Sequence, residues 1–179
     1  KHYNMSYEKL DEIITQGKEM GIYMYLYSGG EPLVRKKDLI RLAEKHNDCA
    51  FAAFTNSTLI DEDFVEDLLR VGNFMFMISV EGTREETDAR RGAGTFDKVM
   101  HSMDLLREAG IPFGYSACYT SANYKTIASD AWQDMMIEKG CYMGWLFTYM
   151  PIGKDAVLDL CVTDEQRKYM YYRVRELRE

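Results

Sequence analysis

The sequence predicts an α/β fold, a sheet of parallel strands with helices packed outside it. Three observations lead there. Apolar strand-like runs alternate with amphipathic helical stretches, with little between them. Strand starts near residues 22, 50, 74, 112 and 142 recur every 24 to 38 residues, the length of a βα unit. No hairpin signal joins consecutive strands, so helices must cross over and the strands run parallel.

In chain order, residues 6–20 carry Leu10, Ile13, Ile14 and Met20 on one helical stripe that stops at Gly21. The aromatic and apolar run Tyr23-Met24-Tyr25-Leu26-Tyr27 reads as a strand buried on both faces. It runs into Ser28-Gly29-Gly30-Glu31-Pro32, where Pro32 ends it. Residues 37–46 form a helix with Leu39, Leu42, Ala43 and His46 inward, and 50–55 a short buried strand. Asp61 opens a helix carrying Phe64, Val65, Leu68 and Leu69, closed by Gly72, and residues 74–80 are the third strand. Thr95 caps a helix through Ala109, with Phe96, Val99, Met100, Met103 and Leu106 inward. Residues 112–119 are the fourth strand, 123–138 a helix and 142–149 the fifth strand. Thr163 and Gln166 make a capping box for a last helix over 164–178.

Such a series fits an open doubly wound sheet or part of a β/α barrel, and both place ligands at the carboxyl ends of the strands. Those ends carry Ser28-Gly29-Gly30-Glu31, Thr55-Asn56-Ser57, Ser79-Val80-Glu81-Gly82, Tyr119-Thr120-Ser121 and Thr148-Tyr149-Met150-Pro151. Gly29 and Gly30 let a ligand lie against the backbone, and Glu31 offers an acceptor for an ammonium group. A βα series begins with a strand, whereas this chain opens on a helix. A first strand is therefore expected upstream of Lys1, and the chain reads as an excised piece.

The 179 residues suffice for one domain with a real core. No apolar run approaches the ~18 residues of a membrane span. The net charge of −7 leaves no electrostatic footprint for nucleic acid or anionic lipid, so neither is expected as a partner. No signal peptide is evident, and Cys49, Cys118, Cys141 and Cys161 lie far apart. They read as reduced thiols in a cytoplasmic protein, Cys118 and Cys141 in the core. His2, His46 and His101 have no metal-ligand spacing, and the 12 methionines serve as core filler. Tyr25, Tyr27, Tyr115 and Tyr119 alternate along strands, on a face the pattern does not assign.

YSGGEPL, TNSTLI, SVEG with ETDARRGAGTFDKV, and YMPIGKDAVLD stand in this order at βα spacing over roughly residues 5 to 165. Together they resemble radical S-adenosylmethionine (SAM) enzymes, most like the branch with a C-terminal iron–sulfur SPASM-type extension. That branch includes peptide-modifying and sulfatase maturases and cofactor-synthesis proteins. The resemblance implies a partial (β/α) barrel over residues 1–162, its first strand missing, and a terminal helix over 163–179 leading to a further C-terminal region. It implies that Gly29, Gly30 and Glu31 receive the SAM amino group, Ser79 the ribose and Arg91 the carboxylate. Asn56 would lie near the cofactor, and backbone at Tyr149 and Met150 would border the adenine. Ser57 stands where the family more often has Gly, and Glu81 where Asp is more usual.

The implied chemistry is reductive cleavage of SAM to a 5′-deoxyadenosyl radical, which abstracts hydrogen from a peptide or a biosynthetic precursor. It requires a 4Fe-4S cluster on a Cys-x3-Cys-x2-Cys loop and an electron-donor protein. The four cysteines here are too scattered to form that loop, so its ligands are expected upstream of Lys1. No metal ligand or catalytic residue is assigned within the chain, which is expected to be inactive alone and to dimerise through an exposed sheet edge. The alternative is a non-catalytic, peptide-binding or scaffold barrel. A nicotinamide-dependent oxidoreductase is disfavoured because no GxGxxG follows a strand.

Overall fold

The computed structural model describes residues 4–153 and 156–178. His2, and Lys154-Asp155 of the last motif, lie outside the described residues.

Five parallel strands are β1 (Met24–Tyr27), β2 (Ala50–Thr55), β3 (Phe74–Ser79), β4 (Phe113–Tyr119) and β5 (Gly144–Thr148). They are hydrogen-bonded in sequential order, β1-β2-β3-β4-β5. A doubly wound sheet reverses its order part way and covers both faces. This sheet never reverses, so right-handed crossovers put every connecting helix on one side. The sheet also curls. In a flat sheet β2 and β5 would stand about 14 Å apart, three strand spacings. Here Phe54 of β2 meets Trp145 and Phe147 of β5 at ring-centroid distances of 5.5 and 5.7 Å. The architecture is a half-barrel, as the resemblance implies.

The eight α-helices among the described residues are α1 (Tyr7–Glu19), α2 (Lys36–Lys45), α3 (Glu62–Val71), α4 (Arg84–Arg91), α5 (Thr95–Glu108), α6 (Tyr124–Ala128), α7 (Asp130–Glu138) and α8 (Asp164–Glu176). Helix starts are capped by Ser6, Asp61, Ser129 and the Thr163/Gln166 box. Gly72 closes α3 in the left-handed conformation, φ 68°.

The core lies between the convex sheet face and the helices. Phe51, Ala53, Phe76, Ile78, Phe113 and Tyr115 of the strands meet Leu39, Leu42, Phe64, Leu68, Val99, Met103 and Leu106. Tyr25, Tyr27, Tyr115 and Tyr119 share this face by register, so none lines the barrel interior. Tyr25 packs toward α1, donating its hydroxyl to Ile14 O at 2.9 Å.

Several sequence expectations are corrected. β1 is an edge strand, and only its Tyr25/Tyr27 face is covered, whereas Met24 and Leu26 are 62% and 47% exposed. Ile13, Met20 and Leu69 are exposed rather than part of the packed stripes of their helices. Thr95 does not cap α5. The Asp88 carboxylate does so, accepting from Gly94 N at 2.9 Å and Phe96 N at 2.8 Å. The helix expected over 123–138 breaks at Ser129, whose extended backbone (ψ 149°) ends α6 and caps α7. Cys118 and Cys141 are half-buried, and Cys49 is the buried cysteine. α4 was not expected, although its Thr83/Glu86 capping box is a sequence-legible signal.

His46 is buried and its Nε2 lies 2.8 Å from Asp11 Oδ1, while Lys45 Nζ lies 2.6 Å from Oδ2. The Lys45 bond, followed by the His46 bond, holds the Asp11 carboxyl below the usual carboxylate range despite partial burial. A depressed folded-state value stabilises above the unfolded carboxyl pKa of about 4 and is lost as pH falls through the folded value. Asp11→Asn is therefore expected to lower Tm at neutral pH and flatten its fall below about pH 4. Thermal melts across pH 3 to 7 check this.

Candidate functional site at the strand ends

The carboxyl ends of β1, β2 and β3 are neighbours in the sheet, so the loops that follow them form one rim. After β1 the chain turns through Gly29 (φ 130°) and Gly30. Among the described residues nothing lies within 4 Å of where a Cβ would stand on either glycine. The backbone is open there to a ligand.

Glu31 caps the 3-10 turn Pro32–Arg35. Its carboxylate accepts from Leu33 N at 2.9 Å, Thr55 Oγ1 at 2.7 Å and Asn56 N at 2.8 Å. It thereby clamps the β1 loop to the end of β2 and retains capacity for one further donor. Asn56 Oδ1 accepts from Thr58 N at 3.0 Å, which turns the chain sharply. Ser57 follows with φ 56°, the left-handed value for which glycine is the usual choice. Its buried hydroxyl lies 2.6 Å from Ser102 Oγ on α5, a bond that a glycine would lack.

Ser79 ends β3 on the concave side, its Oγ 3.3 Å from Ser116 Oγ on β4. Two residues on, Glu81 is 1% exposed. Its Oε2 accepts from Cys118 N at 3.0 Å, and its Oε1 from Arg91 Nε at 3.0 Å and from Arg91 Nη2. Arg90 Nε stands 3.6 Å from the same oxygen. Asn123 Nδ2 donates to Glu81 O at 2.9 Å and Cys118 O at 3.2 Å, lacing β3 to β4. Arg91 thus buttresses the rim and keeps its remaining N–H groups, including both on Nη1, for a ligand.

Gly29, Gly30, Glu31, Asn56, Ser79 and Arg91 all fall on this rim. Tyr149 and Met150 lie beyond β5, further round the curl. Tyr149 Oη accepts from Val157 N at 3.1 Å, and Met150 is exposed. Sequence reasoning missed Arg90, Ser116, Asn123 and the Phe54, Trp145 and Phe147 rings on the concave face. No local pattern marks those rings, because β2 and β5 meet only through the curl.

Burial pushes the Cys141 thiol up to about 12, and burial also raises Cys49. Both are expected to resist iodoacetamide at pH 7.5 in the folded protein and to react on unfolding. Peptide mass mapping of the alkylated sites checks this.

Fold and rim together define a parallel β/α half-barrel with a candidate ligand site at its strand ends. Residues 1–124 match the Radical SAM superfamily, and the chain belongs to that superfamily. Fe-coproporphyrin III synthase of Methanosarcina barkeri is 30% identical over 98% of this chain and 45% of its own length. Streptococcus suis SuiB bound to S-adenosylmethionine matches with TM-score 0.82 and 19% identity over 98% of this chain and 41% of that one. Native anSMEcpe with bound AdoMet and the Kp18Cys peptide matches with TM-score 0.80 and 19% identity, over 98% of this chain and 52% of that one. At such identities the two structures establish the fold alone. The chain spans less than half the length of the curated relatives it matches.

The superfamily implies SAM and an iron–sulfur cluster. The rim suits SAM, with open glycine backbone, acceptor capacity at Glu31, a hydroxyl at Ser79 and a guanidinium at Arg91. It does not supply a cluster. Among the described residues no group of three or more His, Cys, Asp or Glu is placed to hold a metal. No helix among them is long and apolar enough to cross a membrane.

Proposed function

We propose that this chain is the SAM-binding half-barrel of a radical SAM oxidoreductase or maturase acting on a peptide or biosynthetic precursor. The observation that carries the reading is the convergence of the open Gly29-Gly30 backbone, Glu31, Ser79 and Arg91 on one rim. SAM held on this rim would, at a reduced 4Fe-4S cluster whose thiolates the rim itself does not provide, supply a 5′-deoxyadenosyl radical for hydrogen abstraction.

In this reading Gly29, Gly30 and Glu31 take the amino group and Arg91 pairs with the carboxylate in planar geometry. Ser79 holds the ribose, Asn56 lies beside the cofactor, and backbone at Tyr149 and Met150 borders the adenine. The apolar rings of Phe54, Trp145 and Phe147 on the concave face border the reacting atoms. An electron-donor protein, a cytoplasmic setting and a further C-terminal region after residues 163–179 complete the proposal. The 179-residue chain alone is inactive in it.

Gly30→Val tests the site, because its Cβ enters open space and the backbone has no left-handed φ to strain. SAM binding by the purified chain is expected to weaken by at least about tenfold, with Tm unchanged. Unaltered binding in the variant would refute this placement of SAM. In the longer natural protein, anaerobic reduction is expected to release 5′-deoxyadenosine, and its absence from a reconstituted, SAM-bound preparation would sink the catalytic reading.

A further inference from the structure

A second site lies outside the barrel, along the free edge of β5. A cavity of about 700 Å³ runs between that edge and α8. Four consecutive residues, Met143 to Leu146, line it, so it follows the backbone of the strand rather than one face. Tyr115 N bonds Met143 O, and Tyr149 N bonds Tyr119 O. By the alternation of a parallel ladder, the N–H and C=O groups of Gly144 and Leu146 point away from β4 into this space, and those of Thr148 point away from β4 further along the same edge. Among the described residues no strand pairs with them.

The chemistry of the walls is one-sided. Met170 and Val174 of α8, with Leu177 just after its end, make an apolar floor with Leu146. Arg167, Arg175 and Arg178 stand around it, and among the described residues no carboxylate lines the cavity. Among the described residues none of these three arginines forms a salt bridge, whereas Arg173 on the opposite side of α8 pairs with Asp130 and Glu176. On a chain of net charge −7 this is a local basic patch.

We propose that the β5 edge and α8 form a docking site for an extended acidic peptide of a separate partner, added as a strand beside β5. Its backbone pairs with Gly144, Leu146 and Thr148. Alternate apolar side chains seat on Leu146, Met170 and Val174, and its carboxylates meet Arg167, Arg175 and Arg178. The site is independent of the SAM rim, so the two proposals stand or fall separately.

A fluorescent ten-residue peptide of alternating valine and glutamate is the probe, with a valine–lysine peptide as control. Anisotropy is expected to show binding of the glutamate peptide only, weakening as salt rises. Leu146→Pro removes one outward N–H without touching the β4 ladder and is expected to cut affinity by about tenfold or more. The double charge reversal Arg167→Glu/Arg178→Glu is expected to transfer binding to the lysine peptide, a gain that misfolding cannot produce. Equal binding of both peptides, no binding, or binding indifferent to Leu146→Pro in a folded variant would overturn the proposal. So would binding by the 179-residue chain but not by the longer natural protein, because the cleft would then belong to the protein's own continuation.

Discussion

Arg91→Ala is expected to destabilise the chain by about 3 kcal/mol or more, the usual cost of leaving one member of a buried ion pair unpaired. Glu81 is 1% exposed and takes two hydrogen bonds from Arg91. Arg90, 3.6 Å away, recovers part of the loss, which keeps the expected value at the lower end of the range. The double variant Arg91→Met/Glu81→Met is expected to recover part of the stability, because an apolar pair costs no desolvation, the remainder being the Cys118 N–H left without its Glu81 acceptor. Urea unfolding of the two single variants and the double variant closes the cycle. A single Arg91→Ala loss below about 1 kcal/mol would mean that Glu81 is satisfied without Arg91. SAM affinity is expected to fall in the double variant despite its partly recovered stability, which separates binding from buttressing.

Glu31→Gln is expected to cost about 2 kcal/mol, although it changes a single group. All three neighbours of the carboxylate are donors, namely Leu33 N, Thr55 Oγ1 and Asn56 N. A glutamine presents one oxygen and one NH2, so at least one backbone N–H faces another donor and loses its partner. The loss should concentrate at the ends of β1 and β2. Hydrogen exchange is expected to show Leu33 and Asn56 amides losing protection while β4 amides keep theirs. Uniform loss across the sheet would instead indicate global destabilisation.

The fold was legible to a large degree because its signals are local. The apolar runs of β2, β3 and β4, the caps at Asp61 and Thr163 and the stop at Gly72 are fixed by neighbouring residues. The place of the candidate site was legible where residue type marks a strand end, as in the open glycines and the Ser79 hydroxyl, which the structure sets on one rim. It was less legible where a residue's role depends on its partner. Arg91 read as a ligand residue, yet its nearest carboxylate is Glu81, ten positions earlier. Ser57 read as a departure from glycine, and the tertiary contact with Ser102 shows what occupies that space.

By itself the sequence determined the βα alternation, the parallel pairing it entails, and the membership that its ordered motifs announce. The periodicity alone admits both an open sheet and a curled one; the resemblance of the motifs implied the curl, and the tertiary structure shows it in the sequential strand order and the ring contacts between β2 and β5. Only the tertiary structure decided which strand faces are covered. Burial belongs to an element's neighbours as well as to its own residues, and β1 and β5 stand at the edges.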